Sequence, residues 1–436
     1  MKIYTLILVS LSFALVQQSG ADDWLSFQNG GRLVLKQSAA IPKQWDAKQG
    51  IKWSVALAGY GQSSPVVSGD LVYVTSVTGK MKQQCHIQAK RVLDGAEVWT
   101  HTVDNSTPEK NTTYVSRAAP TPVCDQDGVI AFFEGGNLIS ISNKGEVRWE
   151  LDLVKQYGAI KARHGLSSSL EQDEANVFVW VEREAMPYII AVSKKSGKIA
   201  WKGEGLGVTS WSSPRLVPVE GQKHLVLSGI GKIVGMDPKT GKRLWEFDQI
   251  SGNSTPTPVP LGNGKFLIGA TTGTRQSATG KAAKSNGVIQ IRQQDGKFRA
   301  EFVWQAEQAT SSFGSPLAYN GKAYFVNRSG VLFCLDLETG KQIYAGRTKS
   351  SIWATPIGVG SQVYLFGKDG TTTIVDSGSE FKKIATNPLW EDENSRPRDD
   401  ASESAGFGGR VLYSGVVASK VLLLRRGDRL FCVQGQ

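Results

Sequence analysis

Asp237-Pro238-Lys239-Thr240-Gly241-Lys242-Arg243-Leu244-Trp245 decides the fold, because it recurs. Asp336-Leu337-Glu338-Thr339-Gly340-Lys341-Gln342-Ile343-Tyr344 and Ser193-Lys194-Lys195-Ser196-Gly197-Lys198-Ile199-Ala200-Trp201 have the same shape. A glycine stands four residues before the aromatic in five units, at Gly95, Gly145, Gly197, Gly241 and Gly340. Only glycine takes the left-handed conformation without steric cost, and a glycine so placed closes a short hairpin with a bulge. Asp or Ser at the start of the turn caps it through the side chain. Each aromatic therefore lies on a strand paired with the strand just before it.

The aromatics keep a rhythm along the chain: Trp53, Trp99, Trp149, Trp201, Trp245, Trp304 and Trp390, with Tyr344 filling the last gap. Spacings from 40 residues (Trp304 to Tyr344) to 59 (Trp245 to Trp304) match propeller blades or large helical repeats. Short Val/Ile/Leu/Tyr-rich runs separated by Gly, Asp and Asn exclude the helices. A second element opens each unit: Ser63-Ser64-Pro65, Ala119-Pro120-Thr121-Pro122, Ser167-Ser168-Ser169, Ser212-Ser213-Pro214, Ser254-Thr255-Pro256, Gly314-Ser315-Pro316 and Ala354-Thr355-Pro356. Small residues suit a crowded place and Pro belongs on a sheet edge, which together describe the innermost strand of a blade lining a central channel.

Phase sets the count. Trp53 precedes the first opening signal, whereas Val411 to Val417, Val421 to Arg425 and Leu430 to Val433 form three strands with no aromatic strand after them. The strand around Ile51 to Leu57 completes that last blade and removes the free edges. The expectation is an all-β, eight-bladed β-propeller of four-stranded antiparallel blades, its ring closed by the N-terminal strand. Eight equivalent aromatics cannot all serve one ligand, so they read as structural docking residues between blades.

Residues 1–21 read as a secretory signal peptide: Lys2, an apolar run from Ile3 to Val16, and Ser19-Gly20-Ala21 at the cleavage position. The run is too short for an ordinary membrane span of roughly 20 apolar residues. Residues 22–50 form a lead-in and 51–436 the propeller, with a long polar loop at about 387–407. A periplasmic or secreted, monomeric protein is expected, with no transmembrane segment after cleavage and no lipid-bearing cysteine at the cleavage site. The net charge of +11 comes from Lys and Arg scattered without a cluster, which argues against nucleic acid. Cys85, Cys124, Cys334 and Cys432 have no metal-finger, redox or haem spacing, and their pairing is left open. No H-E-x-x-H, G-x-S-x-G or Walker loop is present, so neither a metal site nor a catalytic residue is assigned.

The cassette A-x-D-x-x-T-G-K-x-x-W with an opening S-S-P resembles the PQQ-like repeat family, over nearly the whole chain from Trp53 onward. The resemblance implies an eight-bladed propeller with two functional branches. One is the quinoprotein dehydrogenases, which hold pyrroloquinoline quinone (PQQ) and calcium in the funnel. The other is the non-catalytic envelope proteins similar to BamB. This chain lacks the adjacent cysteine pair typical of the quinoprotein alcohol dehydrogenases, and it lacks the lipid-bearing cysteine of BamB.

Ligand-binding candidates are the residues just ahead of the opening signals, which fall at the channel mouth: Gln62, Arg117, His164, Trp211, Asn253, Phe313 and Trp353. Arg117 and Arg163-His164 suit a carboxylate or phosphate, and Trp211 or Trp353 a planar or sugar ring. With no catalytic constellation, the reading favours a scaffold that binds a protein or an envelope component without a cofactor. The alternatives are a PQQ- and calcium-dependent dehydrogenase and a carbohydrate-binding propeller.

Overall fold

The computed structural model describes residues 23–35, 41–271, 283–391, 410–418 and 420–434, so the signal-peptide reading of 1–21 lies outside the described residues. Seven sequential four-stranded antiparallel sheets span Val66–Asp104, Val123–Asp152, Glu171–Glu204, Arg215–Phe247, Val259–Gln305, Leu317–Arg347 and Ile357–Pro388, and form blades 1 to 7. Blade 8 joins Leu412–Ala418, Val421–Arg426 and Arg429–Val433 to the N-terminal strand Ile51–Ala56. Within a blade the first strand lines the channel and runs from the mouth to the back, and the fourth is outermost. Burial follows that order: Gly128–Phe132 is buried throughout, while Glu97–Asp104 alternates half-buried and exposed as a one-sided strand does. Apolar cores sit between neighbouring blades, as where Val123 and Leu138 of blade 2 meet Val179 and Ile190 of blade 3. Among the described residues no helix is long and apolar enough to cross a membrane. The last strand of blade 7 runs through Pro388; of the polar stretch 387–407, residues 392–407 lie outside the described residues.

The recurring glycines turn with φ between +70° and +87°, and the strand register slips beside the turn in the same blades. A β-carbon at Gly95, Gly145, Gly197, Gly241 or Gly340 would run into Trp53, Trp99, Trp149, Trp201 or Trp304 of the preceding blade. Each of those indoles donates its N–H to a carbonyl of the same turn, at 2.8–3.0 Å: Val92, Asn143, Lys194, Pro238 and Leu337. Ring face and ring nitrogen thus both engage the next blade.

The other three aromatics differ. Tyr344 meets Phe381 of blade 7 ring to ring, at 6.2 Å. Trp245 stays in its own blade, because the next blade closes on the tight turn Asp295-Gly296 with nothing near the glycine. Its ring covers Gly235, and its N–H donates to His224 Nδ1 at 3.0 Å, where burial pulls the imidazole down to about 4. Trp390 is out of register: Ala385 pairs with Ile374 at the position an aromatic takes elsewhere, and Trp390 lies beyond the strand against Phe431. All four cysteines are buried and unpaired, with Cys334 and Cys432 opposite Tyr344 and Trp53 in the strand register.

Candidate functional site

The opening signals do more than save space. Ser64 N–H donates to Thr121 Oγ1 of the next blade, Thr121 to Ser169, Ser169 to Ser213, Ser213 to Thr257, Thr257 to Ser315 and Ser315 to Thr355, at 2.8–3.1 Å. This belt of hydroxyls circles the channel from blade 1 to blade 7. A sequence signal exists for it: six of the seven hydroxyl residues stand immediately before Pro, the exception being Ser169.

The channel is occupied by the chain's own lead-in, which the sequence left unassigned. Trp24 exchanges backbone hydrogen bonds with Val67 of blade 1, and Leu25 O accepts from Cys124 N of blade 2 and Gln172 Nε2 of blade 3. Gln28 reaches the belt, donating to Ser315 Oγ at 2.8 Å and Thr355 Oγ1 at 2.9 Å. Its Oε1 accepts from Arg215, which pairs in turn with Glu171 at 3.1 Å. Arg215 and Glu171 are both buried, so each offsets the desolvation of the other. Val34–Leu35 then runs parallel to the inner strand of blade 7. The lead-in is a plug inserted from the back of the ring.

At the mouth the seven candidates divide. Gln62, His164 and Trp211 belong to one continuous cluster with Tyr114. Gln62 holds Ser116 N and Tyr114 O, at 3.0 and 3.1 Å. His164, exposed and in the left-handed region at φ +62°, meets Tyr114 edge-on at 5.0 Å and stacks on Trp211 at 6.0 Å. Phe313 and Trp353 form a second pair, 4.9 Å apart, with Lys368 Nζ 4.6 Å above the Trp353 ring. Two candidates face inward instead. Arg117 is buried against Glu134, at 3.0 Å, and also binds Glu109, while burial pushes the Glu134 carboxyl up to about 7. Asn253 is buried and ties Gly231 N and Lys232 O to its own loop. Of the cationic candidates Arg117 is thus already neutralised, whereas Arg163 is exposed, its carbonyl accepting from the Trp211 indole N–H in the aromatic cluster.

Between rim and plug lies a cavity of about 90 Å³, lined among others by Trp24, Phe27, Gln28, Phe313, Trp353 and Ser414. Cofactor sites usually offer roughly 300–1,000 Å³. No carboxylate lines the cavity, and the described residues hold no cluster of three or more metal-ligating side chains. The residues present do not fit pyrroloquinoline quinone with calcium: its acid groups would find the plug where they need room and counter-charge.

Solved structures share the ring. BamB from Moraxella catarrhalis aligns over 88% of this chain and 97% of its own, with TM-score 0.58 and 13% identity. Quinohemoprotein alcohol dehydrogenase from Comamonas testosteroni aligns over 95% and 81%, with TM-score 0.63 and 12% identity. At such identities the likeness is one of fold. No curated protein matches the chain. The family model described as outer membrane protein assembly factor BamB matches residues 18–179, 159–273 and 285–429. Repeat cassette, eight blades and this match converge: the chain belongs to the PQQ-like repeat family described as outer membrane protein assembly factor BamB.

Proposed function

We propose that this chain is an exported, non-catalytic propeller that binds a protein of the cell envelope on the rim of its channel mouth. One observation carries the reading: the rim presents Tyr114, His164, Trp211, Phe313 and Trp353 around a channel that its own lead-in fills. Aromatics of this kind anchor protein interfaces, giving large contact area at small entropic cost. A filled channel leaves that rim, and no deep funnel, for recognition. The family's description as an assembly factor supports an envelope protein as the class of partner.

A photo-crosslinking residue placed at Trp211 or Phe313 is expected to capture one defined envelope protein in intact cells. Placed at Leu93, an exposed residue in a turn at the back of the ring, it should capture none. Trp353→Ala should weaken capture from Phe313. Equal capture from all three positions would remove the rim from the account. Calcium- and quinone-dependent dye reduction with alcohols would replace the scaffold reading by a dehydrogenase.

A further inference from the structure

Each of the two aromatic groups on the rim is tied by hydrogen bonds to the backbone of an exposed arginine. Beside Phe313 and Trp353 this is Arg328, in the hairpin between Lys322–Val326 and Val331–Asp336. Its N–H donates to Ser312 Oγ, next to Phe313, at 2.8 Å. Its carbonyl accepts from Ser351 Oγ at 2.6 Å, and the same Ser351 Oγ accepts from the Trp353 indole at 3.0 Å. Ser351 holds Lys368 as well, its carbonyl accepting the Lys368 N–H at 2.7 Å, while Lys368 Nζ stands over the Trp353 ring. In the other group the Trp211 indole donates to Arg163 O and Gly165 O, each at 3.2 Å. The Arg163 and Arg328 side chains are exposed, and among the described residues neither has an ion-pair partner.

Acid is scarce around them. The five loops that carry the rim aromatics, 105–121, 153–170, 205–213, 306–315 and 348–355, hold six Lys and Arg residues and two carboxylates, Glu109 and Glu307. Glu109 is bound to Arg117. Asp369, in the hairpin that carries Lys368, is engaged too, accepting from Ser350 Oγ at 2.8 Å and Thr371 N at 3.0 Å. The two groups face each other across the mouth, one on the loops ahead of blades 2 to 4 and the other on those ahead of blades 6 and 7. Opposite charge on a partner speeds its encounter with such a surface, and like charge opposes docking.

We propose that the mouth recognises an acidic segment of its protein partner, its carboxylates meeting Arg163 and Arg328 and its apolar side chains meeting the aromatics beside them. This rests on the rim as the partner surface and adds the chemistry of the partner. Arginine and aromatic residues are the pair that protein interfaces enrich, and a guanidinium takes a carboxylate through two parallel N–H groups. The cations stand singly beside aromatics, not in the basic cluster that draws a protein to anionic lipid.

Fluorescence anisotropy of the purified protein with a labelled peptide of alternating Glu and Tyr, against the same peptide with Gln for Glu, tests it. Saturable binding of the Glu peptide is expected, at least about tenfold tighter than the Gln peptide and weakening as sodium chloride is raised. Arg163→Glu and Arg328→Glu should each weaken it about tenfold, and Arg328→Lys should retain most of it. Lys239→Glu, the same charge change in an exposed turn at the back of blade 4, should leave it unchanged. In cells, the segment captured from Phe313 should prove acidic when its cross-linked peptide is mapped by mass spectrometry. A neutral or basic segment, equal affinity for the Gln peptide, or an equal loss from Lys239→Glu overturns acidic recognition and leaves the rim standing as a partner surface. No capture from Phe313 in the wild type overturns the rim instead, and the peptide titration then decides the acidic site by itself. Binding to phosphatidylglycerol vesicles that both Glu variants abolish, with no saturable binding of the Glu peptide, would replace the protein segment by a membrane surface.

Discussion

Gly241 and Gly296 separate the two jobs of the turn glycine. Both turn with φ near +72°, but a β-carbon at Gly241 would lie 2.4 Å from the Trp201 ring, and one at Gly296 would meet nothing within 4 Å. Gly296→Ala should cost only the left-handed backbone penalty, about 1–2 kcal/mol. Gly241→Ala should cost a further 1–3 kcal/mol or so, because the docked indole must move; urea midpoints of the two variants measure the difference. The backbone half of this was legible in the sequence, since a glycine at a fixed offset demands a special φ. The docking half was legible only where the next blade repeats the cassette. Nothing near Trp245 announces that Gly296 belongs to a shorter turn, and the five-residue offset of Trp390 depends on pairing between Ala385 and Ile374.

The hydroxyl belt belongs to the inner strands as a set. Thr257 accepts from Ser213 N, so Thr257→Val keeps the shape and strands a buried N–H. A loss of about 1–3 kcal/mol is expected, with Thr257→Ser close to wild type, both read from thermal unfolding. In the sequence these residues were visible as small; their hydroxyls gain meaning only when the neighbouring blade stands at the same height. The lead-in was less visible still. Residues 22–50 carry neither a strand alternation nor a helical period, and Gln28 acquires its role through partners 187 to 327 positions away.

For the whole molecule, closure rests on strand Ile51–Ala56 against Arg429–Val433. A chain beginning at Ala58 loses that strand and the plug together and leaves a bare edge on blade 8. It should self-associate on size exclusion and unfold at lower urea, whereas a chain beginning at Asp23 should run as a monomer. Blade number and closure were legible because phase along a repeat is arithmetic; the mouth was not, because loop side chains follow no period. The plug also decides which way the molecule can be mounted. Asp23 Oδ1 accepts from Gly69 N in a turn at the back of blade 1, and Val34–Leu35 runs out along blade 7 toward the same side. Whatever is coupled ahead of Asp23, be it a tag, a resin or a sensor chip, therefore leaves through the back, and the aromatic rim faces outward like a dish on its stand.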